Sequence, residues 1–129
     1  MDGLNGCACK GSNLDKMVQP AILLALANEE LHGYKIIQKI SKTALFNGNK
    51  PDPTGVYRHL KAMESMGLII SSWDTANSGP ARRIFKITED GYECLHTWIS
   101  TLEDYKNTIE KFLAEAKTVM DNSQINKSR

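Results

Sequence analysis

The sequence predicts a mainly α-helical chain with a small β component (α+β), and three observations support this prediction. Three short amphipathic stretches lie between residues 14 and 66. Two runs typical of strands follow at 68–73 and 83–88, separated by a polar loop that contains Gly79-Pro80. A long stretch without proline then begins at residue 89. The expected element order is helix, helix, helix, strand, strand, helix.

The first predicted helix runs to about residue 28, and either Asn13 or Asp15 is suitable as its N-cap. Pro20 is tolerated only in a first turn, which moves the expected start toward Val18. Three apolar side chains form its predicted buried stripe: Ile22, Leu23 and Leu26.

The second predicted helix covers about 33–42, after the link Leu31-His32-Gly33-Tyr34. Its predicted apolar face combines three side chains, with Ile36 beside them: Tyr34, Ile37 and Ile40.

The third predicted helix, about 53–66, has one apolar and one basic face. Three residues at i, i+4 and i+7 form the apolar face: Val56, Leu60 and Met63. Asp52 is a candidate N-cap, Pro53 suits the first turn, and Gly67 ends the helix. Three helices followed by a two-stranded hairpin are typical of the winged helix-turn-helix, in which the third helix enters the DNA major groove and the hairpin flanks it.

The formal net charge is only +1, but the charges are unevenly distributed. Residues 32–88 carry nine Lys and Arg against three acidic residues, whereas residues 89–121 carry eight acidic residues against three lysines. This distribution favours an anionic partner for the middle of the chain.

Eight side chains are predicted to face double-stranded DNA: Thr54, Tyr57, Arg58, Lys61, Arg82, Arg83, Lys35 and Lys39. Arg58 is the candidate for a base edge, because a guanidinium pairs two-pronged with guanine, and the others are candidates for phosphate. Since neighbouring strand residues point to opposite faces, only one of Arg82 and Arg83 is expected to meet phosphate. The alternative interpretation of the basic face is an ordinary solvated surface. For Tyr57 the alternative is a partly buried ring with only its hydroxyl reaching out.

The last predicted helix, 89 to about 120, begins after Thr88 as N-cap and carries an a/d apolar pattern for more than three heptads. Its predicted dimerisation residues are Leu95, Trp98, Leu102, Tyr105, Ile109 and Phe112. A helix of about 48 Å overhangs a small domain, so its stripe needs a partner, and a two-fold homodimer is the simplest solution. The expected division is an N-terminal tail (1–13), a winged-helix domain (14–88), a dimerisation helix (89–121) and a disordered tail (122–129).

Composition sets further limits on the function. The chain has 129 residues, no run long enough to cross a bilayer, and no basic segment at its start, which predicts a cytoplasmic protein without membrane contact. Three cysteines are not typical of a disulfide framework. The histidines lack paired carboxylates or metal-spaced ligands, so neither an enzyme nor a cofactor is predicted.

Three motifs in the same order resemble the PadR family of bacterial transcriptional regulators. They are Ala21–Leu26 with the Leu-His-Gly-Tyr link, the stretch from Pro53 to Gly67-Leu68-Ile69, and the hairpin Gly79–Gly91. The resemblance covers about residues 17–120. Many members have Gly-Thr-Ile-Tyr-Pro where this chain has Thr54-Gly55-Val56-Tyr57-Arg58, so base preferences do not transfer.

The resemblance implies a dimeric repressor, and some members bind flat aromatic molecules near the dimer interface. Trp98 and Tyr105 are candidates for such an effector site, with plain packing as the alternative. Two other functions stay open. Cys7 and Cys9 are candidate ligands for a thiophilic metal in a metal- or redox-responsive regulator, and the long helix alone would suit a protein-interaction module without DNA binding.

Overall fold

A computed structural model of the chain describes residues 15–75 and 79–127. A 3-10 turn at Asp15–Met17 leads into α1 (Val18–Leu26), β1 (Leu31–His32), α2 (Gly33–Ser41), α3 (Pro53–Ser65), β2 (Ile69–Asp74), β3 (Arg82–Ile87) and α4 (Glu89–Lys127). The predicted winged helix-turn-helix with a long C-terminal helix is confirmed. The predicted tail 1–13 lies outside the described residues.

The sheet has three strands and not two. All are antiparallel in the order β1-β3-β2, with Leu31 opposite Phe85 and Ile69 opposite Ile87. β1 was not predicted, because two residues are too few to show an alternating pattern. This strand exists through its pairing with β3, which comes more than fifty residues later.

The core lies between the first three helices and the inner face of the sheet. Its most deeply buried large side chains come from all four parts: Ile22, Leu23, Leu26, Ile36, Ile40, Val56, Leu60, Met63 and Ile69. Tyr34, predicted to share the buried face of α2, is instead 40% exposed. As the second residue of α2 it lies beside β1, and its ring stacks on His32 with 5.8 Å between ring centroids.

The start of α1 at Val18, with Pro20 in its first turn, agrees with the sequence analysis. Two carbonyl groups at its C-terminal end accept hydrogen bonds from side chains elsewhere in the chain. Lys39 Nζ donates to the Ala25 carbonyl oxygen at 3.0 Å, and the Tyr92 hydroxyl donates to that of Ala27. These bonds fix the end of α1 against α2 and the first turn of α4.

The start of α4 is capped as predicted. The Gly91 amide donates to Thr88 Oγ1 at 3.0 Å, and Glu89 and Asp90 occupy the first turn. The helix continues to Lys127, beyond the predicted end near residue 120, so residues 122–127 belong to the helix and not to the predicted tail. Its 39 residues correspond to a helix of about 58 Å.

The chain divides into two compact units, Met1–Leu95 and His96–Arg129. Within the part of the chain that the structure describes, no helix combines the length and apolar character required to span a membrane.

Candidate nucleic-acid interface

Both ends of α3 are fixed by local hydrogen bonds. At its start, the Gly55 amide donates to Asp52 Oδ2 at 3.2 Å, and Pro53 occupies the first turn, as predicted. At its end, Gly67 adopts a φ of +78°, and the amides of Gly67 and Leu68 donate to the carbonyl oxygens of Glu64 and Met63 at 3.0 Å each. This pattern is a Schellman motif, which terminates the helix and directs the chain into β2.

The two faces of α3 differ as the sequence predicted. Val56, Leu60 and Met63 are at most 1% exposed and pack into the core. Thr54, Arg58 and Lys61 are exposed, and the helical period of 100° per residue places them roughly opposite the buried stripe. The outward face of α3 is therefore polar and positively charged.

Tyr57 lies on the flank of α3, with 48% of its surface exposed, and is seated against the start of α2. A Cβ added to Gly33 would lie 2.5 Å from Tyr57 Oη and 2.6 Å from Tyr57 Cε1. Only glycine leaves room for the ring at this point, because the buried backbone of Gly33 forms its seat. The structure thus supports the interpretation of a partly buried ring with an accessible side.

Arg83 lies beside α3 in a groove of about 460 Å³ between that helix and the wing, which is the β2–β3 hairpin. Its Nε donates to Ser71 Oγ at 3.1 Å, and Ser71 Oγ donates to Glu64 Oε2 of α3 at 2.7 Å. The Arg83 guanidinium carbon is 5.2 Å from the Trp73 ring centroid, and Trp73 is 60% exposed. The groove therefore joins α3 and the wing through polar contacts.

The roles of Glu64, Ser71 and Trp73 were not predicted from the sequence. The signal that could have identified two of them is the period of two in a strand, since Ser71 and Trp73 share a face with the buried Ile69. That face also carries Arg83, which is paired in register with Trp73.

The side chain of Arg82 leaves β3 on the face opposite to that of Arg83. Its guanidinium carbon is 5.2 Å from the Tyr34 ring centroid, and the Lys35 Nζ atom is 5.9 Å from the same ring. Next to this cluster, His32 Nε2 and Asp74 Oδ2 are 2.9 Å apart and connect β1 to the end of β2. Both wing arginines nevertheless line one groove of about 360 Å³ together with Tyr34 and Tyr57.

Lys39 has partners within the chain. Its Nζ is 2.6 Å from Glu29 Oε2, in addition to its bond to the end of α1. We therefore leave Lys39 out of the proposed interface, whereas Lys35 stays exposed near the wing.

The second unit is described by the side chains of α4 up to residue 123. Of the predicted dimerisation residues, Leu95 and Trp98 are partly exposed, and the other four have exposed fractions of 39% or more: Leu102, Tyr105, Ile109 and Phe112. Ile109 and Phe112 reach 63% and 68%. A stripe of large apolar side chains in water is unfavourable unless a partner covers it.

No group of three or more potential metal ligands occurs in the ranges 15–75 and 79–127. Cys7 and Cys9, the candidate ligands of a thiophilic metal, lie outside these ranges. Cys94, on α4, is a free and partly exposed cysteine.

Comparisons with solved structures show similar folds. A PadR family transcription regulator from Clostridium difficile R20291 is 24% identical, with a TM-score of 0.64 and coverage of 74% of this chain and 97% of that one. A putative transcriptional regulator from Thermoplasma acidophilum is 24% identical, with a TM-score of 0.68 and coverage of 78% and 94%.

A third similar structure is Bacillus subtilis PadR in complex with operator DNA. It is 26% identical with a TM-score of 0.55, and the match covers 63% of this chain and 45% of that one. No curated protein sequence matches this chain significantly.

The family comparison covers more than half of the chain. Residues 22–97, from α1 into the start of α4, match the model of the PadR-like transcriptional regulator family. This range contains the fixed α3, the wing and the groove between them. The chain therefore belongs to the PadR-like family of transcriptional regulators.

Proposed function

We propose that this protein binds double-stranded operator DNA as a homodimer and thereby regulates transcription. In this proposal α3 lies in the major groove and the wing follows the adjacent backbone. The observation that carries it is the division of α3 into a buried stripe and an outward face with Arg58 and Lys61.

The contacts fall into two groups. Arg58 lies near the middle of the outward face and is the proposed base contact, because its guanidinium suits the paired acceptors of guanine. The remaining proposed contacts position the protein on phosphate: Thr54, Tyr57, Lys61, Lys35, Arg82 and Arg83. Since Arg82 and Arg83 line the same groove, we propose that both approach the backbone, in place of the single arginine expected from strand alternation.

Dimerisation through α4 is supported by the exposure of Ile109, Phe112 and Val119, each above 60%. A two-fold dimer would present two copies of α3 to successive major grooves, about 34 Å apart. Linking two sites also raises the affinity through effective concentration, which compensates for a net charge of only +1.

We further propose that the protein is a repressor that responds to a small molecule. Its support is the family resemblance together with Trp98 and Tyr105, two aromatic side chains on the proposed dimer surface, with Tyr105 44% exposed. A flat aromatic effector bound between the two α4 helices would alter the separation of the two α3 helices and release the operator.

The test combines sedimentation with DNA selection. The purified protein is expected to sediment as a dimer, and the genomic fragments that it retains should share inverted half-sites about one helical turn apart. Lys61→Ala should reduce the magnitude of the negative slope of log K against log salt by about one unit. Lys117→Ala on α4 should leave that slope unchanged. A dimer that does not bind duplex DNA even at low salt concentration would instead indicate a protein-interaction module.

A metal-dependent regulator makes a different prediction for the same assay. DNA binding by the reduced protein would then change on metal titration, and a Cys7→Ser/Cys9→Ser variant would lose that response. Equal DNA binding with and without metal would exclude it.

A further inference from the structure

We propose that Ser71 and Glu64 are positioning residues for DNA binding, which hold the Arg83 guanidinium ready for a phosphate before DNA arrives. The inference rests on the proposed function, because it assigns a role to residues that touch no DNA themselves. Ser71 of β2 and Glu64 of α3 then contribute to DNA binding through Arg83, although neither carries a positive charge.

The hydrogen bonds form a directed chain from α3 to the wing. A serine hydroxyl has one hydrogen to donate and two lone pairs that accept. Here the Ser71 hydroxyl donates to Glu64 Oε2 at 2.7 Å, which leaves its lone pairs to accept from Arg83 Nε at 3.1 Å. The Glu64 carboxylate, as acceptor, thus fixes the direction of the Ser71 hydroxyl, and the hydroxyl fixes the position of the Arg83 Nε.

A second contact restrains the same guanidinium from its face. Arg83 is paired with Trp73 across the strands, and its guanidinium carbon is 5.2 Å from the indole ring centroid. A planar guanidinium held at Nε and on one face retains its two terminal NH₂ groups, the edge that binds phosphate two-pronged. Arg83 lines the groove that Tyr57 and Lys61 of α3 also line.

The presence of Glu64 in this groove needs such a reason. A carboxylate close to DNA phosphate is unfavourable for binding unless it serves another purpose. Glu64 is half-buried and accepts the Ser71 hydroxyl, so its charge acts on the arginine that faces the same groove. Ordering Arg83 in the free protein removes part of the entropy that binding would otherwise cost.

The test is a double-mutant cycle with Ser71→Ala and Arg83→Ala on a mixed-sequence duplex of about 30 base pairs. We expect Ser71→Ala to weaken binding about three- to tenfold per half-site, the effect of one side chain that must be ordered on binding. In the Arg83→Ala background, Ser71→Ala should have no further effect. Ser71→Thr, which keeps the hydroxyl, should restore the affinity.

A spectroscopic readout tests the positioning without DNA. The chain has two tryptophans, so a Trp98→Phe background leaves Trp73 as the only indole. Ser71→Ala should then increase acrylamide quenching of Trp73, because the arginine no longer covers the ring, and Ser71→Thr should not.

The outcomes separate the inference from the proposed function. Equal effects of Ser71→Ala with and without Arg83, or unchanged Trp73 quenching, would overturn the positioning role while the wild-type protein still binds DNA. The positioning role would also be overturned if the Arg83→Ala variant bound duplex DNA as tightly as the wild-type protein. A wild-type protein that binds no duplex at all would overturn the proposed function itself.

Discussion

Gly33→Ala should weaken DNA binding while leaving the fold intact, because Gly33 seats Tyr57. The added Cβ would lie 2.5 Å from Tyr57 Oη, whereas ordinary contacts begin at 3.4 Å, so the ring must retreat by about 0.9 Å. Tyr57 is 48% exposed and has room to turn outward. We therefore expect the ring to move and the backbone to stay.

The expected stability change is small because two effects oppose each other. Overpacking costs about 1–3 kcal/mol where the neighbour cannot move, and less here. Replacing glycine at a compatible backbone position contributes about 0.4–1 kcal/mol of stability. The net change should stay within about 1 kcal/mol, or about 4–8 °C in Tm for a domain of this size.

DNA binding should change more clearly. Loss of one phosphate hydrogen bond from Tyr57 corresponds to about 0.5–1.5 kcal/mol, or about two- to twelvefold per half-site. Fluorescence anisotropy measures the affinity and circular dichroism measures the melting temperature. In a Tyr57→Ala background, Gly33→Ala should have no effect on binding.

Gly55→Ala is the matched control for stability. Its added Cβ would meet its nearest neighbour, Asp52 Oδ2, at an ordinary 3.5 Å, so this helix substitution should stabilise α3 slightly. Gly33 does not have this role if the Gly33→Ala substitution unfolds the domain, or if the Gly33→Ala protein binds DNA as tightly as the wild type.

Three further predictions concern other parts of the molecule. Arg58→Ala should cost about 1–3 kcal/mol of binding and relax the preference at one base pair, as measured by competition among operator variants; an equal loss on every sequence would make it a phosphate contact. Lys39→Ala should lower the free energy of unfolding, measured in urea, by about 1 kcal/mol, because it removes the hydrogen bond to the Ala25 carbonyl oxygen at the end of α1. The same substitution should leave the salt dependence of DNA binding unchanged. A smaller magnitude of the salt slope in the Lys39→Ala protein would instead show that Lys39 contacts DNA phosphate. Phe112→Asp should weaken dimerisation about a hundredfold or more in sedimentation, with Lys111→Ala as the neighbouring control, and an intact dimer would exclude Phe112 from the contact.

Local signals predicted the parts of the fold that are determined locally. The cap at Asp52, the apolar stripe of α3 and the termination at Gly67 each depend on residues a few positions apart, and all three are present in the structure. The start of α1 at Val18 follows from the fixed backbone of Pro20 in the same way.

The differences arise where distant residues meet. Lys39 bonds to Glu29 and to the end of α1 because the tertiary arrangement brings these groups together. For the same reason Tyr34 lies outside the core and contacts His32 and Arg82. The bridge from Glu64 through Ser71 to Arg83 likewise depends on the packing of the wing against α3. A helical or strand period gives the face of each residue but not its partner.

The short first strand has a consequence for synthesis of the protein. Residues 31–32 hydrogen-bond with residues 84–85, so a nascent chain cannot close its sheet until β3 has left the ribosome. At a translation rate of about 5–20 residues per second, the intervening segment takes roughly 3–10 s to appear. By the end of that interval α1, α2 and α3 have been synthesised without the strand that completes their core, and a product truncated before residue 82 never acquires it.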